Sequence, residues 1–262
     1  MEKLVIIPTY NERENIVSIL KAVFELQQSF HVLIIDDGSP DGTASLVRSL
    51  FGTYPGQLFL EERVGKLGLG TAYIHGFRWA LNRGYAFIFE MDADFSHDPK
   101  DLNKLYDACN EGDADVAIGS RYVKKGKVEN WPWIRVFISK GASIYTRLLT
   151  WMPVKDPTAG FVCYKSGVLE AINLDEITFV GYAFQIEMKF AAWKLGFTVK
   201  EVPITFIDRQ YGISKMNKGI VKEGIFGVLK LRWMSMFKNY RNRVKNSSEN
   251  SFGTEGIPME GK

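Results

Sequence analysis

Two carboxylates one residue apart are the part of the sequence best suited to chemistry. Asp92 and Asp94 come shortly after the apolar run at residues 85–89, which predicts a buried parallel strand. Open α/β sheets hold their ligands beyond the carboxyl ends of parallel strands, so both side chains are expected at a binding site. Carboxylate oxygens there suit a hard divalent cation that also binds a diphosphate. An Asp-x-Asp pattern alone is equally typical of a solvated turn, so the other motifs decide its meaning.

Polar motifs follow the first two predicted strands as well. The sequence PTYNE at residues 8–12 ends the strand at 3–7, and DDGSPDG at residues 36–42 ends the strand at 32–35. Rings and carboxylates at such strand ends can contact a base and a ribose. The structural alternatives are that Asn11 caps the next helix and that the Asp-Gly pairs only form turns.

A glycine-punctuated run, RVGKLGLG at residues 63–70, precedes a predicted helix. Such a run lets backbone amides approach phosphates. It lacks the spacing of a Walker loop, and no Gly-x-Gly-x-x-Gly pattern follows the first strand. An ATPase of the P-loop type and a hydride-transfer enzyme are therefore disfavoured.

Three cations are predicted near the same edge of the sheet. Arg121 follows the strand at 116–119, and Arg209 and Lys215 lie in a later loop rich in Gly and Ser. Each alone would be read as a surface charge. Opposite the two carboxylates, together they favour a clamp for phosphate oxygens.

Length and composition indicate one α/β domain. The chain has 262 residues, 46% of them hydrophobic, with a net charge of +3 that gives no case for nucleic-acid binding. Predicted strands alternate with helices in the first half, which favours a mainly parallel sheet. We expect a single catalytic domain over residues 1–237 and a tail at 238–262 that is first basic and then polar and disordered.

Two long helices are predicted at residues 133–152 and 219–237, and neither contains eighteen consecutive apolar residues. Both combine apolar positions with regularly spaced polar ones, so they suit a membrane interface, although an apolar stripe is also typical of a core-facing helix. A basic cluster follows and suits anionic headgroups. Its members are Lys238, Arg241, Arg243 and Lys245.

Taken together, these motifs resemble the inverting family 2 glycosyltransferases of GT-A fold, and more narrowly their polyprenyl-phosphate (dolichyl-phosphate) mannosyltransferase group. The resemblance covers about residues 3–237. Beyond the motifs above it rests on MDADFSHDP at 91–99, GSRY at 119–122, ISKGA at 138–142, TAGF at 158–161, GYAFQIE at 181–187 and DRQYGISK at 208–215.

The resemblance implies a set of site residues. Asp94 and Ser96 would bind Mg²⁺ or Mn²⁺, although many relatives have Gln at the position of Ser96. Arg135 and Ser139 would bind the lipid phosphate. Catalysis would fall to Asp94, Arg121, Arg209 and Lys215. The nucleotide sugar would be held by Pro8, Tyr10, Glu12, Ile35, Asp37, Asp92, Ala93, Asp94, Arg121, Arg209 and Lys215.

The activity implied is inverting, metal-dependent transfer of mannose from GDP-mannose to a polyprenyl phosphate. Because a phosphate monoester is already anionic near neutral pH, no general base is expected. The alternatives are a UDP-glucose donor, a hydroxyl acceptor with Glu187 as base, and a non-catalytic nucleotide-sugar or lipid-binding scaffold. A peripheral location on the cytoplasmic face of a membrane is expected, and a separate membrane-anchoring subunit is allowed.

Overall fold

The protein is built around a central sheet of seven strands. A computed structural model describes residues 2–208 and 218–242. The strands are β1 (Lys3–Thr9), β2 (His31–Asp36), β3 (Leu58–Glu62), β4 (Phe87–Glu90), β5 (Val116–Ser120), β6 (Lys127–Glu129), β7 (Val162–Lys165), β8 (Val199–Pro203) and β9 (Thr205–Ile207). The helices are α1 (Ile16–Phe24), α2 (Thr43–Ser49), α3 (Leu69–Leu81), α4 (Asp101–Asn110), α5 (Trp133–Thr150), α6 (Ser166–Ala171), α7 (Tyr182–Lys194) and α8 (Lys218–Met234).

The sheet runs in the order β3-β2-β1-β4-β7-β5-β8, and β6 and β9 form a separate parallel pair. Every neighbouring pair of the large sheet is parallel except those of β7, which is antiparallel to both β4 and β5. The predicted α/β fold with a mainly parallel sheet is therefore confirmed. The carboxyl ends of β1, β2, β4 and β5 meet at one edge, together with the amino end of β7.

Two apolar cores cover the two faces of the sheet. In β1, Leu4 and Ile6 pack with residues of α3 and α7, whereas Val5 and Ile7 pack with residues of α1 and α4. All four of these strand residues are fully buried. Continuous apolar strands of this kind are typical of parallel sheets covered on both faces.

Several element boundaries differ from those predicted. The first strand continues through Pro8 to Thr9, and the first helix begins only at Ile16. The delay has a local cause, because Asn11 adopts a left-handed φ of 57° and its amide donates to Ser39 Oγ over 3.0 Å. The short elements β6 and α6 were not predicted, since neither carries a long periodic pattern.

The two long helices lie close to their predicted positions and pack against each other. α5 ends at Thr150, two residues earlier than predicted, because Trp151 takes a left-handed φ of 59°. Within the described ranges, no helix is both long and apolar enough to span a bilayer.

Candidate active site

The ends of β1 and β2 lie side by side at the polar edge of the sheet. Pro8 is opposite Ile35 and Thr9 is opposite Asp36 in the register of the two strands. Asp36 is a turn-forming residue, because its carboxylate accepts from Thr9 Oγ1 over 2.8 Å and from the Ser39 amide over 2.8 Å. The structure thus brings Pro8 and Ile35, two of the expected nucleotide contacts, to one place.

Asp37 is held by an arginine that the sequence analysis did not single out. Arg63 Nε donates to Asp37 Oδ1 over 2.7 Å, and both side chains are 9% exposed. Arg63 belongs to the glycine-punctuated run, so this run is attached to the end of β2. The only sequence signal for Arg63 was its place in this run, and the run predicted phosphate contacts rather than an ion pair.

Tyr10 and Glu12 lie in the turn after β1, and both are half-buried. The Lys66 ammonium lies 5.1 Å from the centre of the Tyr10 ring. Glu12 Oε2 accepts from Asn15 Nδ2 over 3.0 Å, and the Glu12 amide donates to Thr43 Oγ1 over 3.1 Å. The turn is therefore tied both to α1 and to the start of α2.

The carboxylates that follow β4 have unequal exposure. Asp92 is half-buried, whereas Asp94 and Ser96 are 7% and 3% exposed. A left-handed φ of 58° at Phe95 folds the backbone so that the Ser96 amide donates to Asp94 Oδ1 over 3.1 Å. Ala93, between the carboxylates, is 4% exposed.

This turn fits a hard divalent cation through its donor chemistry. Asp94 and Ser96 offer only oxygen atoms, which Mg²⁺ and Mn²⁺ prefer. Among the described residues, no three His, Cys, Asp or Glu side chains cluster as a complete metal site. A cation bound here by Asp94 and Ser96 would need further ligands, which substrate phosphates can supply.

Arg121 is fixed at the end of β5 by a buried carboxylate. Its Nε and Nη2 donate to the two oxygens of Asp156 over 2.8 and 2.6 Å, and Nη2 also donates to Thr158 Oγ1 over 2.9 Å. Asp156 is fully buried and was missed by the sequence analysis, since a lone Asp-Pro pair gives no functional signal. The pairing aims the guanidinium through a rigid bidentate contact.

The two expected lipid-phosphate residues lie near Arg121. The Arg135 guanidinium lies 3.9 Å and that of Arg121 5.7 Å from the centre of the Trp131 ring. Arg135 Nη1 donates to Asp208 Oδ1 over 2.9 Å, and Tyr122 donates its hydroxyl to Ser139 Oγ over 2.7 Å. Arg121, Arg135 and Ser139 are thus brought together, whereas Arg209 and Lys215 lie outside the described residues.

A histidine lies between the turn at residues 92–96, which carries Asp92 and Asp94, and the separate strand pair of β6 and β9. His97 is 3% exposed, stacks on Phe161 with ring centres 4.8 Å apart and pairs through its backbone with Phe206. Burial lowers the pKa of His97 to about 4, so the ring is neutral at physiological pH. The carboxylate turn and β9, which leads to Asp208, are therefore directly connected.

Two buried titratable side chains lie behind the turn. Glu90 and Lys189 are fully buried, and burial raises the pKa of Glu90 to about 8 while it lowers the pKa of Lys189 to about 8. Lys189 Nζ donates to the carbonyl of Ala159 over 2.6 Å and to both oxygens of Gln185 over 3.0 Å. All three ammonium donors are used. Lys189 therefore fixes the backbone at Ala159, next to Thr158, which contacts Arg121.

Glu187, the alternative general base, is enclosed in the protein. Its Oε2 accepts from the amides of Thr178 and Phe179 over 2.8 and 3.0 Å, and its Oε1 accepts from Lys238 Nζ over 2.9 Å. Glu187 is fully buried, so it is not placed to take a proton from an acceptor hydroxyl. Lys238 is likewise 7% exposed at its side chain, so it does not belong to a surface cluster for lipid headgroups.

Comparison with known proteins gives consistent relatives. Residues 4–172 match the family described as Glycosyl transferase family 2. The chain is 48% identical over 225 residues to a polyprenol monophosphomannose synthase from Mycolicibacterium smegmatis, covering 86% of this chain and 84% of the relative. It is 43% identical over 244 residues to an undecaprenyl-phosphate mannosyltransferase from Micrococcus luteus, covering 93% and 99%.

A solved structure with the same fold is that of a mannosyltransferase from Pyrobaculum calidifontis in complex with GDP-mannose and Mn²⁺. It superposes with a TM-score of 0.58 at 17% identity, over 92% of this chain and 66% of that one. At this identity the likeness establishes the GT-A fold and nothing more.

Proposed function

Because the chain belongs to glycosyl transferase family 2, we propose that it transfers mannose from GDP-mannose to a polyprenyl phosphate with inversion at the anomeric carbon. Two relatives above 40% identity are named for mannose transfer to polyprenyl phosphates. The structural observation that supports a lipid phosphate as acceptor is the position of Arg135. This quarter-exposed cation lies at the start of a helix whose apolar face is exposed.

The nucleotide sugar would bind across the ends of β1, β2 and β4. Pro8, Tyr10, Glu12, Ile35 and Asp37 would hold the nucleoside, and Asp92, Ala93 and Asp94 would lie at the diphosphate. A cation bound by Asp94 and Ser96 would neutralise charge on the departing diphosphate. Arg121, held by Asp156, would contribute a fixed positive charge that costs no reorganisation during the reaction. Arg209 and Lys215 remain predicted members of this clamp.

The acceptor phosphate would bind at Arg135 and Ser139. In the structure Arg135 Nη1 donates to a carboxylate oxygen of Asp208, and in the complex a phosphate oxygen of the acceptor would take that hydrogen bond instead. An anionic phosphate oxygen can attack the anomeric carbon without losing a proton first, so no base is required. The burial of Glu187 supports this mechanism over transfer to a hydroxyl acceptor.

The long helices would place the enzyme on a membrane. In α5 the buried side is lined by Ser143, Thr146 and Thr150, whereas large apolar side chains point outwards. These are Trp133, Ile134, Phe137, Ile138, Ile144 and Leu148, and Trp151 directly after the helix is exposed as well. This inverted pattern is the opposite of a core-facing helix and suits an interfacial helix. The cytoplasmic face and a separate anchoring subunit stay predictions.

The test is a transfer assay with purified protein, a short polyprenyl phosphate and Mn²⁺ or Mg²⁺. GDP-mannose and UDP-glucose are supplied in parallel, and lipid-linked hexose is measured by mass spectrometry. We expect product from GDP-mannose and its loss with EDTA. Product only from UDP-glucose would overturn the assignment of GDP-mannose as the donor. Nucleotide binding without product from either donor would favour a hydroxyl acceptor or a binding protein.

A further inference from the structure

The buried pair of Glu187 and Lys238 joins two distant parts of the chain. Glu187 lies on α7, and Lys238 follows the end of α8. Besides its contact with Glu187, Lys238 Nζ donates to Thr178 Oγ1 over 2.8 Å. Glu187 also holds the amides of Thr178 and Phe179. One carboxylate therefore fixes both the segment before α7 and the chain that leaves α8.

α8 reinforces the same contact. Gly227 approaches so closely that an added Cβ would lie 3.2 Å from Ala183 Cβ and 3.5 Å from Phe179 Cε1. The Lys230 ammonium lies 5.8 Å from the centre of the Phe179 ring. The segment at residues 178–181 is thus clamped between α7 and α8.

This segment contacts the glycine-punctuated run in turn. The carbonyl of Val180 accepts from the Gly70 amide over 2.8 Å. Gly68 has a left-handed φ of 103°, and an added Cβ there would lie 3.1 Å from the same carbonyl. These glycines therefore serve close packing against residues 178–181, and the Gly70 amide is already used.

The glycine-punctuated run also contacts Asp37, one of the expected nucleotide contacts. Arg63 Nη1 donates to Thr71 Oγ1 over 2.9 Å, and Thr71 Oγ1 donates to the carbonyl of Gly68 over 2.8 Å. The remaining side of the guanidinium holds Asp37. A continuous series of hydrogen bonds and packing contacts thus links the end of α8 to the end of β2.

We propose that Glu187 and Lys238 are positioning residues for the nucleotide sugar. Their ion pair fixes residues 178–181 against Gly68 and Gly70, and through them fixes Arg63 against Asp37. This inference rests on the proposed function, because it takes Asp37 as a contact of the nucleotide. A helix with an exposed apolar face is thereby connected to the donor site. Glu187, which was considered as a base only in the alternative with a hydroxyl acceptor, has a structural task that acts on donor binding.

The test compares Lys238→Met with Lys194→Met, which removes an exposed lysine from α7. The Kd of GDP with Mn²⁺ is measured by calorimetry, and KM and kcat are measured at a temperature where both variants are folded. We expect the Kd of GDP and the KM of GDP-mannose to rise about tenfold in Lys238→Met only, within the range typical of contiguous contact networks. The KM of polyprenyl phosphate and kcat should stay unchanged, and Lys238→Arg should restore donor affinity.

Gly68→Ala gives a second measurement if Lys238→Met does not fold, because it strains the same contact from the α3 side. It too should weaken GDP binding. A folded Lys238→Met or Gly68→Ala variant that binds GDP as tightly as the wild type would overturn the inference. Absence of GDP and UDP binding in the wild type would instead overturn the proposed function.

Discussion

The carboxylate and the hydroxyl that follow β4 differ as metal ligands. Asp94 supplies a charged oxygen, whereas Ser96 offers a neutral hydroxyl that is shorter than the Gln side chain expected from the resemblance. The left-handed Phe95 brings the Ser96 amide to 3.1 Å from Asp94 Oδ1, and this hydrogen bond orients the Asp94 carboxylate. Asp94 is therefore expected to carry most of the cation affinity of this turn.

Asp94→Asn tests that assignment. We expect kcat/KM to fall at least about a hundredfold, since charge stabilisation of the leaving group is lost. Transfer is measured with Mn²⁺ and with EDTA, and circular dichroism confirms the fold. Asp98→Asn is the matched control, because Asp98 is exposed and lies four residues away in the segment between β4 and α4. Normal turnover by Asp94→Asn would remove Asp94 from the site.

Arg135→Ala tests the acceptor site. Loss of a charge-assisted hydrogen bond costs about 1.5–3 kcal/mol, so the KM of polyprenyl phosphate should rise about ten- to hundredfold. The KM of GDP-mannose should not change. Arg147→Ala is the control, since Arg147 is an exposed cation on the same helix. A rise in the donor KM alone would show that Arg135 serves the nucleotide instead.

At the scale of single elements, two helices contain glycines in opposite surroundings. In α3, an added Cβ at Gly76 would lie 2.8 Å from Ile6 Cγ2 and 2.9 Å from Ile35 Cδ1. In α5, an added Cβ at Gly141 would meet no atom within 4 Å. The first glycine lets α3 approach β1 and β2, whose ends hold the expected nucleotide contacts.

We therefore expect opposite effects from the same substitution. Gly76→Ala should lower the free energy of unfolding by about 1–3 kcal/mol, because overpacking outweighs the gain in helix propensity. Gly141→Ala should raise it by up to about 1 kcal/mol, because only the propensity changes. Urea denaturation measures both, and a stabilising Gly76→Ala would show that the sheet can move away from α3.

At the scale of the whole molecule, α5 and α8 give the protein one strongly apolar region. Phe226 and Trp233 are 67% and 63% exposed, and their spacing places them on one face of α8. Phe237, just beyond the helix, is 78% exposed. Arg232 lies 4.6 Å from the ring centre of Trp151, which joins the two helices at one end. Exposed apolar surface of this extent marks an interaction site.

Phe137→Asp combined with Leu148→Asp tests membrane docking. Each apolar side chain contributes about 1.5–3 kcal/mol when buried, so binding to lipid vesicles should fall more than about a hundredfold. Co-sedimentation with vesicles measures the loss, and GDP affinity should stay unchanged. Phe51→Asp is the control, because Phe51 is an exposed aromatic residue outside both helices. If the double variant binds vesicles as well as the wild type does, the apolar region of α5 and α8 would be assigned to a protein partner instead.

Local sequence determined the elements and the edge of the sheet at which ligands are expected to bind. Apolar runs such as that of β1 leave little choice but a buried strand, and motifs at strand ends meet wherever parallel strands meet. The helical periods of α3, α5 and α8 were readable for the same reason, since side-chain spacing is a local property. Asp92 and Asp94 could therefore be singled out from the sequence, whereas Arg135 was implied only by the family resemblance.

Long-range contacts decided the rest. The antiparallel β7, inserted between β4 and β5, is a pairing that no local pattern encodes. Asp156 and Arg63 acquire their roles only from partners 35 and 26 residues away. Glu187 was open to interpretation as a base until the fold enclosed it with Lys238, 51 residues later. The charge of a side chain is written in the sequence, whereas its burial and its partner depend on which distant segments fold around it.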